Sequence, residues 1–266
     1  MSASIDLAHV LATADLRING QLAGASNATL AATIDSGQDQ ISCVYKPRRG
    51  ERPLWDFPSG TLAHREVATY QLDQALGWGL VPVTVWREDG PYGPGMCQVW
   101  IQDEVNHPAC DVVVPDDVPA GWHVVLEAET YDGTPVVVAH DSDPRAQQMA
   151  IFDVLANNAD RKGGHILRDD SGTLFGIDHG LTFHVEPKLR TVLWGWSGQI
   201  IPDSLIADLQ RLSESMSVSG SAGAQLRMHL SDAEIDALCQ RLDNLMSTGV
   251  FPLPGTDYPP LPWPPM

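Results

Sequence analysis

Residues 151–184 read IFDVLANNADRKGGHILRDDSGTLFGIDHGLTFH, and the rest of the chain is placed by reference to them. Two acidic residues, Asp160 and Asp178, stand at opposite ends of a strand–turn–strand pattern. Asp160 follows a helical run and opens the loop Asp160-Arg161-Lys162-Gly163-Gly164. Asp178 ends the apolar run 174–177 and is followed by His179 and Gly180. Between them, Asp169-Asp170-Ser171-Gly172 carries the residues that a tight hairpin turn demands. A hairpin that brings a loop carboxylate near a strand-end carboxylate can hold a base beside a metal ligand, as kinases do.

The chain before this stretch is β-rich. Residues 5–14 predict a short helix, and runs near 15–22, 28–34 and 40–46 predict an antiparallel meander. The turn at residues 24–27 either offers backbone N–H groups around Ser26 and Asn27 to phosphates, as small-residue nests do, or is an ordinary hairpin turn. No GxGxxG is present. The third run ends on Lys46, where Pro47 stops it, and a helix over 61–76 carries Glu66 in its second turn. In kinases a strand lysine holds phosphate oxygens and is itself held by a helix glutamate, so Lys46–Glu66 is the candidate pair. Strands at 82–87 and 96–102 follow, and the second leads to an interlobe hinge where adenine would hydrogen-bond near Gln102.

Residues 103–121 are acidic and proline-bearing and read as a loop or linker. Runs 124–129 and 134–139 flank Tyr131-Asp132-Gly133, a hairpin signal. Asp143-Pro144 opens a helix that runs to about Asn157. Downstream, helices are expected over 203–215 and 231–247, the second starting in a Ser231…Glu234 capping box. The Ser/Gly-rich stretch 213–224 between them reads as a mobile connection. The proline-rich tail from Phe251 is either a partner ligand in polyproline form or an extended segment packed along the domain.

A length of 266 residues suits one large domain or two lobes. The formal charge of −18 argues against nucleic acid and against stable association with an anionic membrane surface. No run approaches a membrane span, and MSASIDLAHVL lacks the basic start of a signal peptide. Cys43, Cys97, Cys110 and Cys239 are scattered without metal-like spacing and suit a reducing, cytoplasmic location. Lys46, Lys162 and Lys188, with Arg48, Arg49, Arg52, Arg161 and Arg190, suggest a basic pocket for a polyanionic nucleotide.

The spacing Asp153-x4-Asn158-x-Asp160-Arg161, followed by Ile177-Asp178-His179-Gly180-Leu181-Thr182-Phe183, resembles the phosphatidylinositol 3- and 4-kinase superfamily. The chain looks most like the type II phosphatidylinositol 4-kinases and their small actinobacterial relatives of unknown substrate. Trp194-Gly195-Trp196 matches a Trp-x-Trp of those kinases, and the matching motifs span about residues 149–202. The resemblance implies a two-lobe, α+β, protein-kinase-like fold, with an antiparallel β-rich N-lobe (1–102) and a mainly helical C-lobe (103–266). It implies that Asp160 is the catalytic-loop aspartate, that Asn158 and Arg161 brace it, that Asp178 binds metal and that Lys46 binds phosphate. The family's metal-binding asparagine is replaced here by His165, which is either a metal ligand, suiting Mn²⁺ better than Mg²⁺, or a hydrogen-bonding strand residue. The expected activity is transfer of a phosphoryl group from ATP to a hydroxyl of a soluble protein or small molecule. Transfer of AMP onto a protein and a catalytically weak nucleotide-binding module are the alternatives. A lipid acceptor fits the acidic chain poorly.

Overall fold

The computed structural model describes residues 6–24, 27–37, 39–103, 107–216, 220–256 and 258–266. Alternating apolar residues build the first sheet. On β2 (Leu30–Asp35) the side chains of Leu30, Ala32 and Ile34 turn inward, and on β3 (Gln40–Pro47) Cys43 and Tyr45 do the same. With β1 (Leu16–Gln21) these strands form the expected meander. A hairpin of β4 (Thr84–Arg87) and β5 (Gly95–Val99) joins it through β5, giving the all-antiparallel order β1-β2-β3-β5-β4. The short helix α1 (Leu7–Thr13) covers one face, burying Leu11 against Ile34, Cys43 and Cys97.

Helix α2 (Leu62–Leu76) lies between β3 and β4 in the chain. The Glu51 carboxylate accepts the N–H groups of Leu62 and Ala63 at 3.1 and 2.9 Å, satisfying two donors that the first turn leaves free. Gly77 ends the helix at φ +72°, a conformation open to glycine at little cost. Helix α2 is buried on two sides. Ala63 and Val67 meet Met96 of the sheet, whereas Ala68, Leu72 and Leu76 enter the large core of the C-terminal half.

That half is built on α3 (Pro144–Ala156), α4 (Asp203–Met216), α5 (Ser221–Leu226) and α6 (Asp232–Thr248). Asp143 caps α3 through the Arg145 N–H, with Pro144 in the first turn, and the Ser231–Glu234 capping box opens α6. A three-stranded sheet, β6 (Cys110–Val113), β8 (Pro135–His140) and β7 (His123–Glu129), stands beside them with β8 in the middle. The hairpin of β9 (Ile166–Arg168) and β10 (Leu174–Gly176) carries the central stretch.

Three expectations need correction. Residues 103–121 are not wholly loop, because β6 pairs with β8 from Cys110↔His140 to Val113↔Val137. Its short apolar run is hidden in the sequence by the acidic and proline residues around it. The Ser/Gly-rich connection holds α5, anchored by buried Ala222 and Leu226. The strand expected over 96–102 stops at Val99. The proline-rich tail takes the packed course. The carbonyls of Pro260 and Pro265 accept the N–H groups of Thr191 and Gly163 at 3.0 and 2.8 Å, so the tail lies along the loop after α3. Among the described residues no helix is long and apolar enough to cross a membrane.

Candidate active site

Lys46 is where the two halves meet. It is the penultimate residue of β3, followed by Pro47. Its Nζ donates to Glu66 Oε1 of α2 at 2.5 Å and to Asp178 Oδ1 at 2.8 Å. Glu66 is 1% exposed, and its other oxygen accepts the His179 N–H at 2.9 Å. Asp178 lies two residues beyond β10 with φ +57°, a left-handed conformation that Asp tolerates better than most residues. The turn leaves its side chain 49% exposed.

The charges are strongly coupled. The Lys46 ammonium is the main reason that the Asp178 carboxyl lies well below the usual carboxylate range, and His165 adds to it. Burial pulls Lys46 toward neutrality, but Asp178 and Glu66 together more than offset it, so its pKa rises. Burial raises the Glu66 pKa against the pull of Lys46.

The loop after α3 is held from beneath. Asn157 ends the helix at φ +48°, and its Nδ2 donates to the carbonyls of His184 and Glu186 at 2.8 and 2.7 Å. Asn158 donates to Asp153 Oδ1 and accepts the Asp160 N–H, both at 3.0 Å. Arg161 is fully buried. It grips Asp153 at 3.0–3.2 Å and donates to the carbonyls of His165 and Ile177 at 3.2 and 3.0 Å. It also donates to His179 Nε2 at 2.6 Å. Thr191 completes the hub by donating to Asp153 Oδ2 at 3.0 Å. Asn158 and Arg161 therefore point inward, toward the scaffold beneath Asp160 and Asp178.

Asp160 is partly buried, which raises its pKa, while Lys162 at 3.4 Å and His165 pull the other way. A carboxylate with a raised pKa is a better proton acceptor. His165 Nδ1 lies 3.0 Å from the Asp160 carbonyl oxygen, which can only accept, so this nitrogen carries the proton. That fixes the tautomer and leaves a lone pair on Nε2, 3.5 Å from Asp178 Oδ2. Burial lowers the His165 pKa and favours the neutral ring. A backbone carbonyl that holds one ring N–H and leaves the other nitrogen free for a metal is how metal-binding histidines are commonly oriented.

The remaining expected residues lie elsewhere. Asn27 Oδ1 accepts the Arg52 N–H at 2.8 Å, tying the first turn to the segment after β3. Ser26 lies outside the described residues. Gln102 is exposed, three residues past β5. The single basic pocket is corrected. Arg161 faces Asp153; Lys188 is buried against Asp56 at 2.8 Å beneath exposed Trp55; Arg190 stacks on Tyr258, 4.1 Å from the ring centre. Lys46 reaches Asp178, whereas Lys162 sits on Asp160. Sequence reasoning missed the Arg65–Glu234 pair, which ties α2 to α6 while a second nitrogen of Arg65 donates to the Thr182 carbonyl. Nothing in the run LAHREVATYQLDQAL, where Arg65 stands between His64 and Glu66, marks this arginine in advance.

No family model matches the chain. It is 46% identical over 266 residues to Protein Rv2133c of Mycobacterium tuberculosis, covering 96% of this chain and 94% of that protein. Among solved structures it is similar to hydra Fam20, determined with sugar, with a TM-score of 0.51, 16% identity, and coverage of 93% of this chain and 90% of that one. The proinflammatory kinase CtkA of Helicobacter pylori aligns with a TM-score of 0.42 and 12% identity, over 91% of this chain and 94% of that one. The fold is kinase-like, with an antiparallel sheet in the N-terminal region and a helical C-terminal region.

Proposed function

The chain belongs to the family of Mycobacterium tuberculosis Rv2133c, and we propose that it is an ATP-dependent phosphotransferase acting on a hydroxyl of a protein or small molecule. The observation that carries this reading is Lys46 bound at once to Glu66 and Asp178, with Asp160 on the adjoining loop. Phosphoryl transfer is mostly positioning and charge stabilisation, and it needs a cation for the phosphates, a metal-binding carboxylate and a base near the acceptor. Lys46 supplies the first, Asp178 the second and Asp160 the third. The Asp153-x4-Asn158-x-Asp160-Arg161 motif supports a phosphatidylinositol 3-/4-kinase-like type.

A divalent ion fits the residues present. Asp178 and His165 offer an oxygen and a nitrogen on one side of the cleft, and among the described residues no third side chain joins them. Two protein ligands plus phosphate oxygens is an ordinary arrangement for a nucleotide-bound ion. When bound, the ion neutralises charge on the phosphates. Glu66 keeps Lys46 aimed at the phosphate position, Arg161 and Asn158 keep Asp160 in place, and Asp160 takes the acceptor hydroxyl's proton.

Label transfer in a cell lysate tests the reading. The chain should move label from [γ-³²P]ATP, but not from [α-³²P]ATP, onto an acceptor, and Lys46→Ala should abolish it while the protein stays folded. Transfer of the α label would instead establish AMP transfer. Transfer of neither label, with no nucleotide-dependent stabilisation in Mg²⁺ or Mn²⁺, would reject an enzyme of either kind.

A further inference from the structure

Helix α2 carries a second buried charge next to Glu66. Arg65 is 1% exposed, and its guanidinium serves three neighbours at once. Its Nε donates to Thr61 Oγ1 at 3.3 Å, its Nη2 donates to Glu234 Oε1 of α6, and its Nη1 donates to the Thr182 carbonyl. The guanidinium carbon lies 4.9 Å from the centre of the Phe57 ring. Glu234 is committed on both oxygens, because Oε2 accepts the N–H and the hydroxyl of Ser231 in the capping box of α6.

Thr182 closes the turn that follows Asp178. Its hydroxyl donates to the His179 carbonyl at 2.8 Å and lies 3.3 Å from Thr69 Oγ1, one helical turn along α2 from Arg65. The His179 N–H goes to Glu66 Oε2 at 2.9 Å. The turn 179–182 is therefore bound to α2 at Arg65, Glu66 and Thr69. The Asp178 side chain is half exposed on a left-handed backbone, so its place depends on what holds the turn beside it. We propose that Arg65 is a positioning residue: by gripping Thr182 and Glu234 together it fixes the spacing between Glu66, which aims Lys46, and Asp178, which faces the metal. The inference rests on the phosphotransferase reading of the cleft. It needs the planar fork of an arginine, because the single ammonium of a lysine does not reproduce bonds in two fixed directions.

The test is calorimetric titration of the full chain with ATP and Mn²⁺, and ATP turnover per folded molecule, in wild type, Arg65→Lys and Glu234→Gln. Arg65→Lys should weaken metal–ATP binding and slow turnover, each at least about tenfold, since a misplacement of about 1 Å can cost about 10²-fold. Glutamine also serves in a capping box, so Glu234→Gln keeps the start of α6 and removes only the charge that meets Arg65. It should shift both quantities in the same direction by at least about threefold, the loss expected when a hydrogen bond gives up its charged acceptor, and it decides the question if the lysine variant fails to fold. A role in stability alone would lower the melting temperature and leave affinity and turnover per folded molecule at wild-type values. That result, in wild type able to bind metal–ATP, would overturn this proposal and leave the phosphotransferase reading standing. A wild type that binds no metal–ATP would overturn both.

Discussion

At the scale of single residues, His165 is the departure with the most to say. Its Nδ1 proton is committed to the Asp160 carbonyl, and its Nε2 lone pair faces Asp178. Nitrogen is a good ligand for Mn²⁺ and a poorer one for Mg²⁺. Stabilisation by ATP should therefore be greater with Mn²⁺, and His165→Asn should move the preference toward Mg²⁺; melting curves with each metal would read this, and an unchanged profile would make His165 a structural residue. Asp153 makes a different prediction. It is fully buried and neutralises fully buried Arg161, so Asp153→Ala should cost about 3–5 kcal/mol by denaturant titration, the usual penalty for stranding a buried charge. Lys46, Asp160 and Asp178 were legible as candidates because each stands at the end of an element or opens a loop, and Glu66 because it lies on the helix that follows Lys46. The resemblance implied that Arg161 braces the loop, but its grip on Asp153 was not legible, since side-chain partners depend on which chains cross behind the loop.

At the scale of elements, α2 shows what sequence patterns leave out. Glu66 can be read from the sequence as the partner of Lys46, but the burial of the helix on two sides cannot. In the structure it is buried in both halves, and its neighbours fix its pose: Arg65 reaches Glu234, and His64 Nδ1 meets His229 Nδ1 at 2.9 Å while stacking on Trp86. One ring must carry its proton at that nitrogen and the other must not, so the contact is lost when both histidines are charged. Burial lowers both pKa values, that of His229 to about 4, with Arg48 also opposing a charge on His64 and Glu88 favouring one. The unfolded chain then binds more protons than the folded one below pH ~6.5, and stability falls on acidification toward pH 4. Buried His140, also lowered to about 4 by desolvation, contributes in the same direction, whereas burial raises Asp73 to about 6 and opposes it. His229→Gln should therefore flatten the loss of melting temperature between pH 6.5 and 4 relative to wild type, and parallel curves would show that the pair does not titrate with unfolding. The strand β6 and helix α5 were not legible for a simpler reason. Each is short, and its few buried residues declare themselves only against their partners, His140 and Val137 for β6 and the main core for α5.

At the scale of the whole molecule, the meander, the helix after it, the hairpin and the closing helices were readable, because period and turn chemistry repeat over many residues. Which residues would converge depended on packing. The core of the C-terminal half takes in Ala68, Leu72 and Leu76, so the helix bearing Glu66 is clamped against it, and Lys46 closes the cleft by pairing with both sides. The tail adds a strap across Gly163 and Thr191, on the face of the candidate catalytic loop. In the proposed reading Asp160 and Asp178 have separate tasks, one toward the acceptor and the other toward phosphate-bound metal. The direct test of that division is ATP turnover per folded molecule in wild type and Asp160→Asn, with nucleotide affinity measured on the same samples. Asp160→Asn should bind metal–ATP as wild type does and turn it over about 10²–10⁴-fold more slowly, the usual loss for a positioned acid–base group. Equal turnover in the two proteins would contradict the account.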